Sequence, residues 1–142
     1  MDSEISRTLG KEFVQFHEQK YGFRIFEHIL ITDRYGILLA QAGRRPVLRV
    51  SDEAWWQKAQ TKNGYVSNAR LDLGGSKHVI DVAGSVFDRE RRFIGVIMGE
   101  CAFDGIIKES QISSDSYETS ELRLIDGDAR LIYSSLEYRF AG

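Results

Sequence analysis

Ile5, Leu9, Phe13 and Phe16 recur at helical spacing, with Glu4, Lys11, Glu12 and Glu18 falling elsewhere. This pattern predicts an amphipathic helix over about residues 3–20. Tyr21-Gly22 ends it, and Gly22 suits the C′ position, where the chain turns left-handed. Two apolar runs follow, His28 to Thr32 and Ile37 to Ala40, flanking Asp33-Arg-Tyr-Gly36. That tetrapeptide has turn chemistry, so the pair reads as a hairpin. Gln41 to Arg49 is a basic loop carrying Arg44, Arg45, Arg49 and Pro46. Ser51 to Gln60 then predicts a short helix, with Ser51 as N-cap and with Asp52 and Glu53 complementing its positive end.

Asn63-Gly64 is a strong turn pair, after which Tyr65 to Ser67 predicts a short strand. Asp72 to Lys77, with Gly74-Gly75, is another turn. His78 to Phe87 predicts a strand in which Gly84 marks a bulge or a close backbone approach. A charged turn, Asp88 to Arg92, leads to Phe93 to Cys101, whose near-continuous apolar run implies a strand covered on both faces. Phe103 to Lys108 predicts one or two helical turns, and the polar stretch 109–119 a loop. Glu121 to Ile125 and Ala129 to Tyr133 flank Asp126-Gly-Asp128 as a second hairpin. Strands joined by short turns imply an antiparallel sheet, and helices on its faces an α+β domain. Alternation within the strands assigns the sheet core to Ile29, Ile31, Ile80, Val82, Ile94, Val96 and Leu124.

Both tryptophans, Trp55 and Trp56, lie side by side on the short helix. Neighbouring helical positions point about 100° apart. One is expected to enter the core and the other to lean over its edge, where an indole can wall a ligand pocket and donate a hydrogen bond. The alternative is that both are core.

Composition narrows the function more than the fold. A chain of 142 residues supports one domain with a real core. Its 42% hydrophobic and 28% charged content is ordinary for a globular domain, and a net charge of −2 argues against a polyanion-binding surface. One cysteine, Cys101, excludes an internal disulfide and a Cys-rich metal site. No run approaches the ~18 apolar residues of a membrane span. The start does not resemble a signal peptide, and the sequence reads as a piece of a longer protein.

Catalytic chemistry is missing. His17, His28 and His78 lie far apart, with no partner at metal-ligand spacing, and read as surface or edge residues. Gly74-Gly-Ser-Lys77 lacks the spacing of a phosphate loop. Cys101 reads as a buried, inert thiol, and Arg89, Arg91 and Arg92 as a solvated turn. No cofactor and no enzymatic activity are implied for this segment.

Four stretches, in order and in register, resemble the Cache domains, the extracytoplasmic PAS-like sensor domains of bacterial histidine kinases, chemoreceptors and diguanylate cyclases. They are Ile29-Leu-Ile-Thr-Asp-Arg-Tyr-Gly36, Asp52-Glu-Ala-Trp-Trp-Gln-Lys-Ala59, Val82-Ala-Gly-Ser-Val-Phe-Asp88 and Phe93-Ile-Gly-Val-Ile97. The resemblance covers about Ser3 to Lys108. It implies a long N-terminal helix, a central antiparallel sheet of about five strands, and a ligand pocket lidded by the Trp helix. Residues 1–22 would form the helix and 23–110 the sensor domain, with 111–142 adding a loop and hairpin to it or opening a second module. Amino-acid-binding members carry an Arg-x-Trp-aromatic motif on this helix. Glu53, Trp55 and Trp56 align with it, while Arg70-Leu-Asp72 aligns with a later Tyr-x-Asp, and Glu100 with a late acidic residue. Glu53 would repel the α-carboxylate that the arginine normally grips. Gly84-Ser85 replaces a usual proline.

The implied function is a ligand-sensing input domain of a membrane signalling protein, most of all a sensor histidine kinase, on the periplasmic side of the inner membrane. The expected site residues are Trp55, Trp56, Tyr65, Arg70, Asp72 and Glu100. Excess acid around an aromatic wall favours an amine-bearing ligand over an ordinary α-amino acid. The expected partners are that small molecule, a second copy paired in parallel through the first helix, and the membrane through flanking segments, with no nucleic acid. The alternative is a PAS-like interaction domain with no small-molecule ligand.

Overall fold

The structure is a computed structural model that describes residues 4–43, 48–72, 74, 77–103, 107, 123–125 and 127–134. Arg44, Arg45 and Pro46 of the basic loop, the polar stretch 109–119, and all of Phe103 to Lys108 except Phe103 and Ile107 lie outside the described residues.

The first helix runs over residues 4–21, as Glu4–Leu9, a π-helical segment Gly10–Gln15, and Phe16–Tyr21. Gly22 closes it at φ 75°, its N–H donating to the Glu18 carbonyl at 2.9 Å. The π segment changes the buried face. A wider turn carries the inward position from Leu9 to Val14 rather than to Phe13. Ser6, Leu9 and Val14 are buried, whereas Ile5, Phe13 and Phe16 of the expected stripe are 54%, 41% and 50% exposed.

The main sheet is antiparallel. Its strands are β1 (Phe26–Asp33), β2 (Leu38–Ala42), β3 (Gly64–Val66), β4 (Arg70–Leu71), β5 (His78–Phe87) and β6 (Phe93–Ala102). They run in the order β2-β1-β6-β5-β3, with β4 also paired to β5. The β1–β2 turn is held by the Asp33 carboxylate, which accepts from the Tyr35 and Ile37 amides at 2.8 and 2.9 Å. Gly36, at φ 77°, meets the Ser51 backbone there, so a side chain would collide. Asp88 fastens the β5–β6 turn in the same way, accepting from the Arg92 amide at 2.8 Å and the Glu90 amide at 2.9 Å. The backbone and side-chain donors of Arg92 hold its carboxyl below the ordinary range. β7 (Arg123–Ile125) and β8 (Leu131–Ser134) form a separate antiparallel pair.

The Trp helix spans Ala54–Lys62. Ser51 is not its cap. Residues 50–53 form a turn, closed by the Glu53 amide on the Val50 carbonyl at 3.0 Å, so Glu53 becomes the N-cap. Asn63 ends the helix in left-handed conformation at φ 62°. One layer of core lies between this helix and the sheet, built from Leu30, Val50, Trp55, Trp56, Ala59, Ala83, Val96 and Met98. A second layer lies between the N-terminal helix and the opposite face, built from Leu9, Val14, Ile29, Ala40 and Ala42, with Ile31 and Ile97 packed against it.

The expected core is corrected in two strands of the main sheet, and Leu124 lies outside that sheet, on β7, half-buried against Phe103 and Ile107. On β5 the buried residues are Val79, Asp81 and Ala83, while Val82 is exposed and Ile80 half-buried. Both phases of β5 are apolar, and small Ala83 takes the face that must accommodate two indoles. On β6, Val86 opposes Gly95 but Phe87 opposes Phe93, which makes Ile94 the extra residue of a bulge. Phe93 therefore turns inward onto Trp56 and Ile94 turns out. Gly84 is neither bulged nor crowded: a side chain there would meet nothing within 4 Å. The close approaches fall at Gly95, against the Thr32 carbonyl, and Gly99, against the Phe26 ring.

A polar row on the Trp-helix face of the sheet

On the face that carries the Trp helix, strand alternation stacks the sheet into rows. Leu30, Met98 and Ala83 oppose one another across β1, β6 and β5, and Tyr65 of β3 extends this apolar row. The next row is polar. His28 opposes Glu100, which opposes Asp81. His28 is buried rather than at the surface or an edge, and its Nε2 lies 3.3 Å from Gln41 Oε1. Asp81 is only 6% exposed, and its amide donates to Ser67 Oγ at 2.8 Å.

Two carboxylates directly opposite each other on adjacent strands repel, and burial sharpens the repulsion. Arg70 resolves it. Placed on β4 opposite Val79, it reaches diagonally to Asp81. Its Nε donates to Asp81 Oδ2 at 3.0 Å and its Nη2 to Asp81 Oδ1 at 2.6 Å, a bidentate fork. The same Nη2 donates to Glu100 Oε2 at 2.7 Å, and Nη1 to the Leu71 carbonyl at 3.2 Å. Pairing with Asp81 first, then Glu100, raises the guanidinium above its ordinary value, so it is charged at every pH at which the protein folds. The Arg70 side chain is one-third exposed and closes the row from the solvent side.

The two tryptophans differ in chemistry rather than burial. Both are inside the protein, so neither leans over an edge. Trp56 Nε1 donates to Thr32 Oγ1 at 2.9 Å, and Thr32 Oγ1 donates to the Val96 carbonyl at 3.3 Å. Ser85 Oγ adds a second tie, donating at 2.7 Å to the Ala59 carbonyl in the last turn of the helix. Trp55 Nε1 is buried with no hydrogen-bond acceptor among the described residues. Buried indole N–H groups normally have one.

Of the expected site residues, the structure brings Arg70 and Glu100 together, with Trp55, Trp56 and Tyr65 on the same face of the sheet. Tyr65 packs on the core with Lys58 Nζ 4.9 Å above its ring. Asp72 has a different neighbourhood. Its carboxylate accepts from the Lys77 amide at 3.2 Å and its own amide donates to the Lys77 carbonyl at 2.8 Å, closing the β4–β5 turn. Glu53, aligned with the ligand-gripping arginine, is an exposed helix cap. Asp81 was missed from sequence, although a carboxylate amid the apolar residues of β5 is itself a signal. Among the described residues no group of three or more His, Cys, Asp or Glu could hold a metal. Cys101, on the reverse face, is buried; desolvation, then the charges of Asp81 and Glu100, push its thiol up to about 11.

The architecture matches solved sensory domains of bacterial chemoreceptors. The sensory domain of the Campylobacter jejuni chemoreceptor Tlp3 (CcmL) superposes at a TM-score of 0.62 with 14% identity, over 95% of this chain and 54% of that one. The same domain with isoleucine bound gives 0.61 and 15% identity, over 95% and 53%. The ligand-binding domain of the Pseudomonas fluorescens chemoreceptor CtaA in complex with L-serine gives 0.51 and 13%, over 75% and 46%. The chain thus spans about half the length of these domains. No protein-family profile and no curated protein matches the sequence. At such identities the likeness is one of fold, and that fold is the PAS-like one of Cache-type sensory domains.

Proposed function

We propose that this chain is a ligand-sensing input domain of a membrane-bound bacterial signalling protein, and that it takes a small amine- or guanidinium-bearing molecule on the polar row beside the Trp helix. The observation that carries this reading is the pair Asp81 and Glu100, set side by side on the covered face of the sheet and both paired with the Arg70 guanidinium. A buried acidic pair needs a cation; a ligand that brings one competes for that place. A ligand carrying only a carboxylate would have to draw Arg70 away and leave both acids uncompensated. Breaking a fully buried pair costs about 3–5 kcal/mol, and less here because Arg70 is partly exposed. Ordinary α-amino acids share that difficulty and are expected to bind weakly.

The finer parts of the reading rest on the resemblance of the sequence to Cache domains. The parent protein is a sensor histidine kinase, the domain is periplasmic, and flanking segments anchor it in the inner membrane. The copies pair in parallel through their first helices. The exposed apolar side chains of Ile5, Phe13 and Phe16 support that pairing, and equally support the second reading, a PAS-like interaction domain with no ligand. In the ligand-binding reading, thermal unfolding with a panel of amines, guanidines, carboxylates and α-amino acids raises the melting temperature only for the cations. Stabilisation by carboxylates alone would reject the ligand class, and no stabilisation by any compound would favour the interaction domain. Cysteines placed at positions 5, 13 or 16 of the full-length protein are expected to cross-link two chains, and failure to do so at every position would reject the parallel pair.

A further inference from the structure

We infer that Arg70 is a tethered internal cation that holds the ligand seat shut, and that its displacement by a ligand cation loosens the segment 68–71 and the hairpin β7–β8 docked on it. The inference rests on the proposed ligand reading and adds to it the way the site opens.

The seat and its occupant are unequal in how firmly they are held. Asp81 and Glu100 sit in the two longest strands of the sheet, each paired over many residues. Arg70 sits in β4, a strand of two residues whose pairing to β5 consists of Arg70 opposite Val79 and Leu71 opposite His78. A short strand with little burial opens at low cost compared with the strands that bear the acids. The guanidinium is partly exposed while the Asp81 carboxylate beneath it is buried, so the occupant can leave by the solvent side without disturbing the seat. The geometry of the fork suits a guanidinium or a primary amine, which restores the same charge-assisted hydrogen bonds from outside the chain. Ligand binding is therefore an exchange of one cation for another, and the net charge of the row is conserved.

The same short segment carries a second set of contacts. Two residues before Arg70, the Asn68 side chain spans to the hairpin β7–β8. Its Nδ2 donates to Asp128 Oδ2 and its Oδ1 accepts from the Gly127 amide, both at 3.3 Å. Between them Ala69 packs with Phe103, Ile107 and Leu124. Withdrawal of Arg70 from the row moves the backbone that positions Ala69 and Asn68. The hairpin loses those partners when β4 leaves β5, which gives the ligand differential affinity for two states of the domain.

The test compares the wild-type chain with Arg70→Ala, Arg70→Lys and the double variant Arg70→Ala/Asp81→Asn, using methylguanidinium as the probe. Arg70→Ala is expected to melt at a lower temperature, to bind methylguanidinium at least about tenfold more tightly than wild type, and to regain its melting temperature as the seat fills. Asp81→Asn in that background abolishes the tighter binding and the regained melting temperature. Arg70→Lys keeps a charge but no fork, and is expected to fold and to bind the probe several-fold more tightly than wild type, which keeps the test decisive should Arg70→Ala not fold. Hydrogen exchange of the β7–β8 hairpin is expected to accelerate in wild type at saturating probe. Weaker binding by both Arg70 variants would make Arg70 a contact of the ligand, overturning the inference while leaving the ligand reading intact. Exchange in the hairpin that does not change at saturation overturns the inference through its relay. No binding by any variant would overturn the ligand reading and the inference with it.

Discussion

At the scale of single residues, the two tryptophans show why burial and role are different questions. Trp56 is tied to Thr32 and stacked edge-on against Phe93. Trp56→Phe is expected to destabilise the fold by about 1–2 kcal/mol, for the lost hydrogen bond and the volume it leaves. Trp55→Phe removes a donor that has no acceptor among the described residues and is expected to cost less, a ranking that urea denaturation checks. Cys101 supplies a pH test. Its thiol rises from an unfolded value of about 8.5 to about 11 in the folded chain. The folded state keeps its proton where the unfolded state has lost it, so this contribution to stability is present below the unfolded value and is lost as pH climbs towards 11. Cys101→Ala is expected to remove that share of the alkaline loss. Arg70 and Glu100 were singled out by their alignment with the Tyr-x-Asp and late acidic positions of Cache domains, and the structure brings the two side chains together. Asp81 was not, because its partner in the row is set by the β5–β6 register and not by any local spacing.

Among the elements, turns and the C-terminal ends of helices were legible, whereas the start of the Trp helix and the faces were less so. Gly22, Asp33-to-Gly36 and Asn63 act through their own backbone chemistry, which sequence displays directly. The strands β1, β5 and β6 were found for the same reason, by their apolar runs between such turns. Their inward phase depends on what covers them. The N-terminal helix is the clearest case, since a π turn sends Phe13 and Phe16 outward in favour of Val14. Leu9→Ala is accordingly expected to cost about 2 kcal/mol or more, whereas Phe13→Ser and Phe16→Ser stay within about 0.5 kcal/mol. Thermal or denaturant unfolding of the three variants decides it. A large loss from the phenylalanine variants in the monomer would restore the regular helical face and contradict the π register.

At the scale of the whole molecule, the sheet separates two tasks. One face is clamped by the N-terminal helix, whose outer side stays apolar and exposed; the other bears the Trp helix and the polar row. The proposed function needs both, a seat for a ligand and an element that leads elsewhere, joined through a sheet stiff enough to couple them. The fold alone does not say which ligand; the proposed cationic class rests on the row, where Arg70 pairs with both Asp81 and Glu100. The most direct measurement is calorimetric titration of the best cationic hit of the panel against wild type and Asp81→Asn, a substitution that keeps shape and removes charge. The account predicts that Asp81→Asn weakens binding by at least about tenfold, or ~1.4 kcal/mol, while the fold persists. Unchanged affinity in Asp81→Asn would contradict it.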